Sequence, residues 1–118
     1  MRAIKIDSGL MVLIEIDVNT LEDMQKAVGG YIETAHHFPN GDTLFVNEDG
    51  VNGNSYSDKF IVVQGAHQPF AGDGLIVGRA DENGDTTPAV SLIPDLILND
   101  VISFITTTEL IASYAHAM

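Results

Sequence analysis

The chain has 118 residues, with seventeen Asp and Glu against five Lys and Arg, for a net charge of −12. Phosphate binding rests on cationic contacts, so this balance disfavours direct binding to nucleic acid or to an anionic membrane surface. The absence of cysteine excludes a disulfide framework and a thiolate zinc site. A hydrophobic content of 45% is enough for one core in one domain.

The opening Met1-Arg2-Ala3-Ile4-Lys5-Ile6 alternates like a strand and runs straight into the fold, unlike a secretory signal. A cytoplasmic location is the expectation. Arg2–Ile6 and Met11–Asp17 read as two strands of an antiparallel hairpin, with Ser8-Gly9 in the turn. The unbroken apolar run Met11-Val12-Leu13-Ile14 suggests a central strand buried on both faces.

A helix follows over Thr20–Val28. Asn19 is placed to cap it, with Glu22 three residues on to reach back to the cap amide. Leu21, Met24 and Val28 recur at helical spacing and form one buried stripe. Gly29 supplies the left-handed residue at the helix end, and Gly30 lets the chain reverse into a strand from Tyr31 to His36. Asn40-Gly41 marks the next turn, Thr43–Val46 the next strand, and Asn47-Glu48-Asp49-Gly50 closes it. Val51–Ser57 is a loop, Lys59–Gln64 a strand, and Gly65–Phe70 irregular around Pro69. Gly74–Arg79 is a short strand ended by a turn over residues 81–85.

The last part reads as helical. Pro94 and Asp95 suit the first turn of a helix running to about Ile105, and Thr106-Thr107-Thr108-Glu109 suits a break and a fresh cap. Leu110, Ile111 and Tyr114 continue a short final helix. Val90–Ile105 is apolar but interrupted by Pro94, Asp95, Asn99 and Asp100, so it does not read as a membrane span. A helix apolar on several sides is buried by its own domain or by a second subunit, so a homodimer through this helix is one expectation.

The search for catalytic and metal chemistry stays empty. His36 and His37 are adjacent and point to opposite faces of a strand, while His67 and His116 add no ligand spacing, so no metal site is expected. Asp81-Glu82-Asn83-Gly84-Asp85 opens like a calcium loop but has Thr86 at the sixth position and Leu92 at the twelfth, so it is a turn. Gly72, Gly74 and Gly78 are spaced one residue too long for a dinucleotide fingerprint. No serine lies in a G-x-S-x-G elbow. Glu33 and Glu48 could meet across neighbouring strands, yet nothing in the sequence activates them as an acid pair. Glu33, Asn47, Glu48 and Asp49 remain as a polar rim with binding potential. Asn19, Gly29, Gly30 and Gly50 are structural positions, and no cofactor is implied.

Ala27-Val28-Gly29-Gly30-Tyr31-Ile32-Glu33 and Phe45-Val46-Asn47-Glu48-Asp49-Gly50, with Arg2–Ile6 before them, resemble the DUF3846 family of small phage and mobile-element proteins. Phe70-Ala71-Gly72-Asp73-Gly74-Leu75-Ile76-Val77-Gly78 is similar to the family's I-A-G-x-x-x-I/V-x-G segment. The resemblance spans residues 1–86 and implies a phage-type origin with an accessory role. It brings no activity and no catalytic residues.

The expectation is therefore a single α+β domain: a mainly antiparallel sheet with one helix on a face, a family-like core at 1–86, and a C-terminal helical extension at 87–118. The function expected is non-enzymatic binding of a host protein, such as a defence component, through the acidic surface. The alternative is a small-molecule or nucleotide-signal binder that sequesters its ligand in an oligomer pocket.

Overall fold

A computed structural model describes residues 1–117, with side chains as far as Ser113. The expectations resting on the side chains of Tyr114 and His116 lie outside the described residues. The first hairpin is β1 (Arg2–Asp7) and β2 (Val12–Asp17), followed by α1 (Leu21–Val28), β3 (Ile32–His37) and β4 (Thr43–Asn47). A 3-10 turn over Gly50–Asn52 leads to β5 (Lys59–Val63), β6 (Phe70–Ala71) and β7 (Gly74–Val77). The chain then forms α2 (Ile93–Leu98), β8 (Ile102–Thr106) and α3 (Thr107–Ala117). The architecture is α+β, as the sequence suggested.

Two antiparallel sheets stack face to face. The larger has the order β2-β1-β7-β4-β3 and the smaller β6-β5-β8. Alternation along the strands divides the side chains between two cores. Ile4, Ile6, Leu44, Val46 and Ile76 point towards the small sheet, where they join Ile61, Val63, Ile102 and Leu96 of α2. Ala3, Leu75 and Val77 point the other way and pack with Met24, Ala27 and Val28 of α1. The result is three layers, with the five-stranded sheet in the middle.

The capping of α1 corrects the sequence reading. Thr20, not Asn19, is the N-cap: its hydroxyl accepts from the Asp23 amide at 3.1 Å, and the Asp23 carboxylate accepts in return from Thr20 N–H at 3.2 Å. The helix starts one residue later than expected, and the short Asp23 side chain replaces Glu22 in the reciprocal pair. The Asp23 carboxyl is held below its ordinary range, first by the Asn19 amide that it also accepts from. The buried stripe shifts with it to Met24, Ala27 and Val28, while Leu21 is 58% exposed. Gly29 does end the helix, at φ 79°.

The strand buried on both faces is β7, not β2. All four residues of Gly74-Leu75-Ile76-Val77 are buried between β1 and β4. β2 lies at the sheet edge, so only Leu13 and Ile16 pack against the cores, and Met11, Val12 and Ile14 stay exposed. An apolar run read alone cannot distinguish these two positions.

The expected helix from Pro94 to Ile105 is two elements. Pro94 does sit in the first turn of α2, but α2 stops at Leu98, and Asp100 reverses the chain at φ 53°. The β-branched and aromatic residues Ile102-Ser103-Phe104-Ile105-Thr106 then pair with β5 over its whole length, from Val63↔Ile102 to Lys59↔Thr106. The extension at 87–118 is therefore not solely helical, because one of its segments completes the small sheet. The break at Thr106 is present: the Thr106 hydroxyl accepts from the Glu109 amide at 3.1 Å, and the Glu109 carboxylate accepts from the Thr106 amide at 3.2 Å.

Candidate functional site

The polar residues singled out in the sequence divide into buried fasteners and an acidic exterior. Asn47, at the end of β4, is 2% exposed. Its side-chain amide donates to the Val28 carbonyl at 3.2 Å, where α1 ends, and its side-chain oxygen accepts from the Asp49 amide at 2.9 Å. Gly30 and Gly53 press on it from two sides: a Cβ at Gly30 would lie 2.9 Å from the Asn47 amide nitrogen, and one at Gly53 2.7 Å. Asn47 thus ties the helix end, the strand end and the following loop. Its amide is engaged within the fold, away from any ligand at the rim.

Glu33, Glu48 and Asp49 are exposed around this fastener. The register sets Val46, not Glu48, opposite Glu33, and the Glu48 amide donates to the Tyr31 carbonyl at 3.0 Å. The two acids are thus offset by two residues along the ladder. Gly50 adopts φ 55° at the start of the 3-10 turn with open space around it, as its structural role requires. Asn19 helps anchor the first strand, where its side-chain oxygen accepts from the Met1 ammonium at 2.9 Å.

Two further fasteners were not singled out in the sequence. Ser8, fully buried, donates from its hydroxyl to the Gly72 carbonyl, and its amide donates to the Asp73 carboxylate at 2.9 Å. Ser55 accepts from the Asp73 amide at 3.0 Å, so the loop before β5 is stitched to the turn before β7. Burial pushes the Asp73 carboxyl above its ordinary value, opposed by the Ser8 hydrogen bond and by Lys5, whose Nζ lies 3.8 Å away. Asp42 is 0% exposed and accepts from the amides of Val90 and Ser91 at 3.1 and 2.8 Å and from the Ser91 hydroxyl at 2.6 Å. In sequence Asp42 appears only as the tail of the Asn40-Gly41 turn. Its partners are 48 and 49 positions away, so no local pattern marks it.

The exterior is acidic. Of the seventeen carboxylates, only Asp7, Asp23, Asp42 and Asp73 are not exposed. Among the cations, Arg2 is 3.0 Å from Glu15 and Lys5 lies beside Asp73, while Lys26 and Arg79 are exposed. Among the described residues no three His, Asp or Glu side chains converge as a metal site would need. His36 stacks edge-on with Phe38 at 5.0 Å and lines a shallow 290 Å³ hollow with His67. A larger hollow of 440 Å³ lies beside the start of α1, between Leu21, Met24, Ile32, Phe45 and Thr86.

Gly30, Asn47 and Gly72, which shape these fasteners, fall in the segments that carry the resemblance, and the model of a domain of unknown function, DUF3846, matches residues 1–97. The chain belongs to the DUF3846 family. The DUF3846 match reaches past Thr86 and into α2, so it takes in the Asp42 fastener and both of its partners, Val90 and Ser91. No curated protein and no solved structure matches the chain. Among the described residues of this DUF3846 protein, no helix is long and apolar enough to cross a membrane.

Proposed function

We propose that this DUF3846 protein is a phage-type accessory protein that works without catalysis, by binding a host protein, such as a defence component, through its acidic exterior. The observation that carries the reading is the placement of the carboxylates. Thirteen of the seventeen face solvent, and two of the five cations are engaged with carboxylates of the same chain. A field of this sign speeds the approach of a basic partner and repels acidic ones. The buried polar groups, by contrast, serve the fold.

The test is capture from a host lysate by the tagged protein, repeated with Asp81, Glu82 and Asp85 changed to Asn, Gln and Asn. Supporting results are a partner retained at low salt, released as salt rises, and held less by the neutralised variant. Capture that ignores both salt and these charges would refute the reading. The second reading, a sequestering protein for a small signal molecule, draws on the 440 Å³ hollow. Its lining is mixed, with Asn19, Thr20, Asp85 and Thr86 beside the apolar side chains, and the one cation there, the Met1 ammonium, is already paired with Asp17, which suits a nucleotide phosphate poorly. A thermal-shift screen against cyclic nucleotides tests it.

A further inference from the structure

The outer edge of β2 is open. Met1 and Val18 exchange backbone hydrogen bonds at 3.0 Å in each direction, which fixes the phase of the β1–β2 ladder. The antiparallel alternation then turns the N–H and C=O groups of Ile16, Ile14 and Val12 towards β1 and those of Leu13, Glu15 and Asp17 away from it. Among the described residues, none of those three outward amides or carbonyls has a backbone partner.

Proteins commonly blunt such an edge with a bulge, a proline or a lysine. β3, the opposite edge of this sheet, has a register break between Thr34 and His36. β2 has no bulge, no proline and no lysine, and its register with β1 is continuous over six residues. Its two sides differ: Val12 and Ile14 are 39% and 41% exposed on the α1 side, and the exposed carboxylates Glu15 and Asp17 alternate with them on the other.

We propose that β2 is a docking edge for an extended segment of a partner protein in which apolar and basic residues alternate. This rests on the reading that the protein binds a basic partner, and it assigns the place and the mode. The main chain of the partner would pair with Leu13, Glu15 and Asp17, its apolar side chains would lie beside Val12 and Ile14, and its cations would share Glu15 and Asp17 with Arg2 and the Met1 ammonium, which pair with them in the free chain. A second copy of this chain fits less well. Pairing along this edge would bring together two bodies that each carry a charge of −12.

The probe is a synthetic ten-residue peptide alternating Lys and Val, titrated into the ¹⁵N-labelled full chain, with a second peptide of the same sequence N-methylated at every residue, so that neither of its edges can donate. The expected result is that the amide signals of Leu13, Glu15 and Asp17 move most. The N-methylated peptide should bind at least about tenfold more weakly. Glu15→Pro removes an outward N–H, the charge and its ion pair with Arg2, and should cost as much, whereas Glu15→Gln, which keeps the N–H, should cost about two- to threefold. Should Glu15→Pro lose its dispersed spectrum, the two peptides on the unaltered chain still decide.

Equal binding of the two peptides, or shifts centred away from β2, would overturn the proposal. A concentration-dependent dimer abolished by Glu15→Pro would overturn it in favour of a second copy. Partner capture that survives Glu15→Pro but falls on neutralising Asp81, Glu82 and Asp85 would remove this edge and leave the acidic-surface reading standing.

Discussion

Replacing Asp42 by Ala tests whether a buried carboxylate holds the 86–92 strap against the sheet. The strap is tied at three places: Gly78 donates to the Thr87 carbonyl at 2.8 Å, Ala89 donates to the Arg2 carbonyl at 2.9 Å, and Asp42 accepts from Val90 and Ser91. Asp42→Ala leaves three donors without their acceptor. Both Ser91 donors are buried, and each costs about 1–1.5 kcal/mol when unpaired. The Val90 amide belongs to a residue 62% exposed and can turn to water, so it adds little. The sum is about 3 kcal/mol, or roughly a 12 °C drop in Tm for a domain of this length. Asp42→Asn keeps one acceptor but presents its NH₂ to a donor, and should cost about half as much. Urea denaturation gives the free energy, and amide exchange at Val90 and Ser91 reports the strap directly. A loss below about 1 kcal/mol for Asp42→Ala, with both amides still protected, would refute the argument.

Asn47→Ala removes the bonds to Val28 and Asp49 and should cost about 2 kcal/mol, whereas Glu33→Ala, nearby but exposed, should cost less than about 0.5, both read by urea denaturation. Thr20→Ala should lower stability by about 1 kcal/mol and Asn19→Ala by clearly less, which distinguishes the observed cap from the one suggested by sequence. A ¹³C carboxyl NMR titration should find Asp73 above the ordinary aspartate range and Asp23 below it. For Asp73 the folded state binds its proton more tightly than the unfolded one. Its contribution therefore favours the fold at low pH and is lost as pH rises from the unfolded value through the folded one. Asp23 works in the opposite sense, stabilising above its unfolded value and ceasing to do so as pH falls through the folded one. Asp73→Asn should flatten the first dependence in a pH series of Tm measurements.

Local chemistry was legible in the sequence, and long-range arrangement was not. Gly29 requires a left-handed helix end wherever the helix sits, so it could be placed from its neighbours alone. The apolar run at Met11–Ile14 and the mixed run at 94–105 depend on which strands come to lie beside them. Edge and centre therefore exchanged places, and a strand was read as helix. Asp42, Ser8 and Ser55 look like ordinary turn residues because their partners are far along the chain. Asn47 was visible as part of a motif, but only its burial shows that the motif secures the fold.

The family match ends at residue 97, inside α2, yet the strand that covers β5 begins at Ile102. A version of this protein cut after Ile97 would keep the five-stranded sheet complete and leave Lys59–Val63 as a raw border, with Ile61 and Val63 losing Ile102 and Phe104 as neighbours. Such a fragment would be adhesive, closing the gap with a strand taken from another molecule. The strand Ile102–Thr106 thus shelters two core residues of β5 and moves the free border of the small sheet outward by one strand.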